Sequence, residues 1–180
     1  SATGTNVYHG TLEGSGALVK SGAGTWSTAG TDTHTGDTRI DAGALRILSP
    51  SALSASSNLV LNGGVLELGA GDFTQSLGTG VGQVRFADHG GFSAYGATRA
   101  VNLGGAGGTV TWGTADFLAS GKRLMLSSAN ANATVEFQNA INLNGLTGVV
   151  QVLNGSAAID ARITGNLTNG GFTKASSGAL

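Results

Sequence analysis

No cysteine occurs in this chain, which excludes a disulfide framework and any thiolate metal site. Proline appears once, and charged residues make up only 11% of the sequence, with a formal net charge of −1 at pH 7. A chain without a basic stripe cannot release counterions from phosphates, so an electrostatic nucleic-acid binder is excluded. No apolar run approaches the roughly 18–20 residues of a membrane-spanning helix, and no membrane insertion by this segment is expected.

What the chain does have is glycine, 32 of its 180 residues, together with 40% hydrophobic residues. Linkers and disordered tails usually carry proline with their glycine and are poor in apolar side chains. This composition instead describes an ordered chain long enough for one domain with a sizeable core. Without disulfides, packing and backbone hydrogen bonding must hold it.

Short segments alternate apolar with polar at period two, as half-buried strands do. They are Thr38–Ile40, Leu45–Ile47, Leu59–Leu61, Leu66–Leu68, Val84–Phe86, Val110–Trp112, Leu124–Leu126, Val135–Phe137, Ile141–Leu143 and Val150–Val152. Between them lie Gly, Asn, Asp and Ser, which tolerate tight turns. No segment sustains a capped helical period.

Two internal similarities organise these strands. GALVKSGAGTW (Gly16–Trp26) aligns without a gap on GGFTKASSGAL (Gly170–Leu180), placing Lys20 on Lys174 and Gly24 on Gly178. RIDAGALRI (Arg39–Ile47) superposes on VLNGGVLEL (Val60–Leu68) at a spacing of 21 residues, with Gly43 on Gly64 and Leu45 on Leu66. Repeats of about 20 to 25 residues built from short strands suit one coil of a parallel β-solenoid. The expected fold is therefore all-β, a right-handed parallel β-helix of roughly eight short coils, the hand being the usual one for parallel crossovers. Ile40, Leu45, Ile47, Leu61, Leu66, Leu68, Val84, Phe86, Val110, Trp112, Leu124, Leu126, Val135, Phe137, Val150 and Val152 take the inward phase and form the expected core column. Asn58, Asn62, Asn102, Asn139, Asn142, Asn144, Asn154 and Asn166 fall at strand ends or corners, either as stacked amide ladders or simply as turn formers.

The stretch LVKSGAGTWSTAGTDTHTGDTRIDAGALRIL (Leu18–Leu48) resembles the passenger-associated, or autotransporter-associated β-strand, repeat of bacterial outer-membrane autotransporters. That pattern runs Gly-Leu-Thr-Lys-x-Gly-x-Gly-Thr-Leu, then Tyr-x-Gly-x-Thr, then Ile-x-x-Gly-x-Leu. Its first block matches at Leu18, Lys20, Gly22, Gly24 and Thr25, with Trp26 in place of the usual Leu. The middle matches at Thr35, Gly36 and Thr38, with His34 where an aromatic is usual, and the last block at Ile40, Gly43 and Leu45. The resemblance implies a secreted β-helical stalk or passenger, and the matches do not imply a catalytic activity. Residues 1–180 are read as a single β-solenoid segment, with a repeat motif at 14–48 and the start of the next repeat at 165–180. The chain opens on Ser1 with no charged-then-apolar leader, so its natural start is expected elsewhere.

Candidate chemistry is sparse. His34 lies near Asp32 and Asp37, and His89 lies beside Asp88; such pairs can serve acid–base work, yet both sit in turn-like polar stretches where exposed His and Asp are ordinary. The carboxylates Asp32, Asp37, Asp41, Glu67, Asp72, Asp88, Asp116, Glu136 and Asp160 are spread singly. The coil spacing brings Asp41 toward Asn62 and Arg46 toward Glu67, the latter read as a surface charge pair of small value. GGAGGT (Gly104–Thr109) lacks the Asp of calcium-binding β-rolls, and GTGVG (Gly78–Gly82) lacks the Lys-Ser/Thr of a phosphate loop. The triplets at Asn132, Asn154 and Asn166 fit the glycosylation pattern that a chain of this composition carries by chance.

Catalytic, cofactor-binding and metal-ligating residues are accordingly read as none, with no cofactor. The expected function is a non-catalytic extracellular structural module, a rigid stalk, fibre or adhesin-passenger segment of a secreted or surface-displayed bacterial repeat protein. Its partners would be neighbouring repeat units or copies of itself stacked end to end into filaments, with host or environmental glycans as further partners. The alternative is a carbohydrate-binding or polysaccharide-degrading β-helix. Trp26 and Trp112 take inward phase, which leaves Tyr8 and Tyr95 as sugar platforms.

Overall fold

The computed structural model describes residues 7–180. Among them the regular structure is all β apart from one 3-10 turn, Pro50–Ala52. The lone proline opens that turn, where a missing N–H leaves nothing unpaired, and Ser49 caps it by accepting the Ser51 N–H.

One strand from every rung contributes to a long eight-stranded sheet. Its order is β1 (Val7–Tyr8), β3 (Thr25–Thr28), β5 (Gly43–Ile47), β7 (Gly64–Leu68), β9 (Gly90–Ala94), β12 (Arg123–Leu126), β15 (Thr147–Val152) and β18 (Gly171–Ala175). A four-stranded sheet joins β2 (Leu18–Lys20), β4 (Thr38–Ile40), β6 (Leu59–Leu61) and β8 (Val84–Phe86). Two three-stranded sheets follow: β10 (Arg99–Val101) with β13 (Val135–Phe137) and β16 (Ala161–Ile163), and β11 (Val110–Thr111) with β14 (Ile141–Asn142) and β17 (Leu167–Thr168). Strand pairs within these sheets are parallel, for example β5 on β7 and β12 on β15. The chain thus returns to the long sheet once per rung, a connectivity consistent with a β-solenoid. The step from β9 to β12 is the longest, with β10, β11 and long connecting turns inside it.

The 21-residue spacing is the physical register. Gly43 pairs with Gly64, Leu45 with Leu66, Arg46 with Glu67 and Ile47 with Leu68, while Ile40 pairs with Leu61 in the neighbouring sheet. Gly43 turns the corner between β4 and β5 at φ +66°, where a side chain would also meet the carbonyls of Gly22 and Gly24 in the rung below.

The residues assigned to the inward column are all buried; Trp26, also given an inward phase, is only partly buried and packs against the edge of that core. Beside the long rung aromatic rings fill the column: the ring centre of Phe73 lies 4.7 Å from that of Phe92, Phe86 5.0 Å from Phe117, and Trp112 5.8 Å from Phe117. Edge-to-face and tilted ring contacts of this kind add to simple area burial. Phe73, Phe92 and Phe117 carry no period-two signal in the sequence, yet they sit at the centre of the core.

The two similar stretches at the ends of the chain form like corners on unlike faces. Lys20 closes β2 and Lys174 sits in β18; each ammonium donates to the carbonyl two residues on, Gly22 and Ser176, at 2.7 Å. Both acceptor residues have positive φ, +77° and +67°. β2, however, belongs to the four-stranded sheet and β18 to the long one. The same local turn is therefore used at different corners of the stack.

Candidate functional site: buried polar clusters and the ends of the stack

Alternation would leave the outer face of the long sheet open to water, but Ala44, Arg46, Val65, Glu67 and Ser93 are all buried on it. Arg46 and Glu67 face each other across β5 and β7 and are hydrogen-bonded through Arg46 Nε and Glu67 Oε1, with side chains 5% and 0% exposed. The surface-pair reading is therefore wrong, because the face that carries the pair is covered. Glu67 Oε2 accepts from Ser128 Oγ and lies 2.9 Å from Ser93 Oγ. The Arg46 guanidinium stacks 3.5 Å above the centre of the Tyr95 ring and donates through Nη2 to the Asn130 carbonyl at 3.2 Å. Both carboxylate oxygens of Glu67 and the Nε and Nη2 of Arg46 are thus supplied with partners, the condition under which ions survive burial. Tyr95, one of the two tyrosines left as sugar platforms, is engaged in this stack.

Asp32 and His34 are likewise buried, contrary to their reading as an exposed turn. His34 Nδ1 is hydrogen-bonded to Asp32 Oδ1. Its Nε2 lies 3.3 Å from Thr38 Oγ1, which in turn is 3.0 Å from Ser57 Oγ. A carboxylate can only accept, so Nδ1 donates to Asp32 and leaves Nε2 facing the Thr38 hydroxyl. The order Asp, His, hydroxyl has the partners of a nucleophilic site, but Thr38 has no exposed surface and offers a reacting carbonyl no approach. Ser54 Oγ also donates to the His34 carbonyl at 2.7 Å. The arrangement fixes the ring and ties two adjacent rungs together. Asp37 is not part of it; it lies 3.7 Å from Arg85 on the surface.

At the second pair, His89 Nδ1 accepts from the Arg123 N–H at 3.0 Å and so is not oriented by its neighbour. Asp88 accepts from Lys122 Nζ at 2.8 Å and from the His89 N–H at 2.6 Å. Those two bonds, the lysine first, hold its carboxyl below the usual range. The remaining carboxylates are dispersed by the stack as by the sequence. Asp72 accepts the Ala100 N–H, and buried Asp160 accepts the N–H groups of Gly155 and Ala179. Among the described residues no group of three or more His, Asp or Glu is placed to hold a metal ion.

Corner residues bind rung to rung. Lys20 Nζ donates to Ser21 O and Gly22 O of its own corner and to Ala42 O of the next at 3.0 Å; burial lowers its pKa. Asn62 Nδ2 donates to Asp41 Oδ1 at 2.7 Å, one rung apart. Asn169 donates to Asn142 Oδ1 in the same manner. Asn58 instead caps the corner carbonyls of Gly78, Gly80 and Gln83, and Asn139 those of Leu103 and Gly108. The asparagines therefore divide between rung-to-rung bonds and turn capping.

Apolar surface is left at the last rung, where Leu167, Phe172 and Leu180 are about two-fifths exposed around a shallow groove with Ile163 and Arg162. No described helix is long and apolar enough to cross a membrane.

Over 109 residues, 59% of its length, this chain is 36% identical to the adhesin BmaC autotransporter of Brucella suis biovar 1 (strain 1330). It spans 3% of the length of that relative. No family model matches the chain, and no solved structure gives a significant match.

Proposed function

We propose that this chain is a non-catalytic segment of a surface-displayed, autotransporter-type adhesin passenger, a rigid spacer whose task is reach and display. In this reading it forms a right-handed parallel β-solenoid of eight rungs, one for each strand of the long sheet. At about 4.8 Å per strand that is a rod roughly 35 Å long. The observation that carries the proposal is the unbroken parallel stack over an apolar column, found in a chain similar to an autotransporter adhesin. The location that follows is extracellular, at a bacterial surface or secreted. The buried placement of Thr38 and His34 supports a structural rather than catalytic use of the Asp32–His34 pair, whose bond is made through the imidazole ring. The apolar last rung fits a neighbouring repeat unit or a second copy docked end to end, a heterologous contact that extends into filaments instead of closing.

Antibody raised against the chain should label intact cells of the source bacterium, and the purified chain should neither cleave nor retain polysaccharides on a glycan array. Labelling only after permeabilisation would overturn the surface assignment. Saturable glycan binding or release of reducing ends would replace the spacer with a carbohydrate-active β-helix. Light scattering across concentration reads the end-to-end contact: a growing linear series supports it, and a fixed monomer removes it.

A further inference from the structure

The connection from β12 to β13 does not take the short way round. Ser127 turns at φ +69°, and residues 127–132 run back across the outer face of the long sheet toward earlier rungs. Ser128 Oγ donates to Glu67 on β7 and lies 3.2 Å from Ser93 Oγ on β9. The Asn130 carbonyl accepts from Arg46 on β5, and Asn130 Nδ2 donates to Thr25 Oγ1 on β3 at 3.0 Å, across 105 residues of sequence. Asn132 Oδ1 then accepts the Gly96 N–H at 2.6 Å, and Ala133 bridges to Ala94 on the way to β13. One six-residue segment therefore touches β3, β5, β7 and β9.

Stacked-rung proteins ordinarily couple only nearest neighbours, so that opening starts at an end and proceeds rung by rung. A strap bonded to several rungs at once changes that statistics, because no rung beneath it can leave without breaking bonds that the others share. We infer that residues 127–132 act as a latch that makes the rungs from β3 to β12 open as one cooperative block, while β1 and β18, which lie beyond its reach, fray independently. The buried Arg46–Glu67 pair is the anchor: it supplies acceptors and donors for both Ser128 and Asn130 from a position that water does not reach.

Native-state hydrogen exchange on the full chain tests this. In the unaltered protein, the slowest amides of β3, β5, β7 and β9 should share one opening free energy. In Asn130→Ala, which leaves all the partners of Glu67 in place, amides of β3 and then β5 should exchange at least about tenfold faster in a graded order, with β15 unchanged. Ser128→Ala should extend the gradient to β7, and Ser128→Thr, which keeps the hydroxyl, should restore it. Graded exchange already present in the unaltered chain, no change in Asn130→Ala, or an equal loss of protection in every rung including β15 would each overturn the latch.

Discussion

Arg46 and Glu67 occupy paired positions on adjacent parallel strands and form an ion pair almost wholly removed from solvent. Two ions taken out of water are costly unless each finds partners, and breaking such a pair is worse than never having had it. Arg46→Met should therefore destabilise the chain by about 3–5 kcal/mol, while the double variant Arg46→Met with Glu67→Leu should recover most of that loss. Urea denaturation of the three variants in a double-mutant cycle measures the coupling. Single variants within about 0.5 kcal/mol of the parent would show that the pair is solvated after all.

Leu66 stands with no exposed surface between Leu45 and Phe92 in the core column. Leu66→Asp places a carboxylate there without a hydrogen-bond partner and removes a well-packed side chain, at a cost of about 4–5 kcal/mol or more. An unchanged denaturation midpoint would mean that the inward phase of β7 is misassigned.

Asp41 takes hydrogen bonds from Asn62 in the next rung and from Arg39, and these, Asn62 first, hold its carboxyl below the ordinary range. Because the folded carboxyl holds its proton less readily than the unfolded one, the resulting stability is present above the ordinary carboxylate range and is lost as pH falls through the folded value. Asn62→Ala should move the Asp41 midpoint upward, read from the carboxyl carbon shift in an NMR titration. A midpoint that stays put would assign the depression to Arg39 alone.

Gly91 faces the covered side of the long sheet, where an added Cβ would overlap the Met125 carbonyl oxygen, a backbone atom held in the ladder. Gly91→Ala should cost about 2–3 kcal/mol, a fall in Tm of roughly 4–12 °C for a chain of this size. Gly24→Ala meets open space and should change Tm by no more than about 2 °C. Equal effects at the two sites would show that close approach is not the reason for glycine at Gly91.

Strand identity was legible wherever period-two alternation met a glycine corner, because a side chain in a strand has only two faces to choose from. Thr38–Ile40, Leu59–Leu61, Val84–Phe86 and Val135–Phe137 are strands over those same bounds. The register of β5 on β7 was legible as well, since stacked rungs of equal length repeat their pattern. β9 was not: GGFSA carries one large apolar residue, and Phe92 reaches the core only because β7 and β12 flank it. The short strands β10 and β17 also fell below any local signal, since each is fixed by a partner, β13 or β14, in the neighbouring rung.

By itself the sequence determined the all-β class and the alternating part of the core, because alternation and corner glycines act over a few residues and need no distant partner. Only the tertiary structure decided what lies outside the column. Whether Arg46 and Glu67 meet water depends on residues 127–132 folding back over them, and whether His34 is a surface imidazole or a buried one depends on Thr38, Ser54 and Ser57 in this rung and the next. Burial of a polar group is a property of everything packed around it, and those neighbours come from far along the chain. Local pattern can place a residue on a face; it cannot say what covers that face.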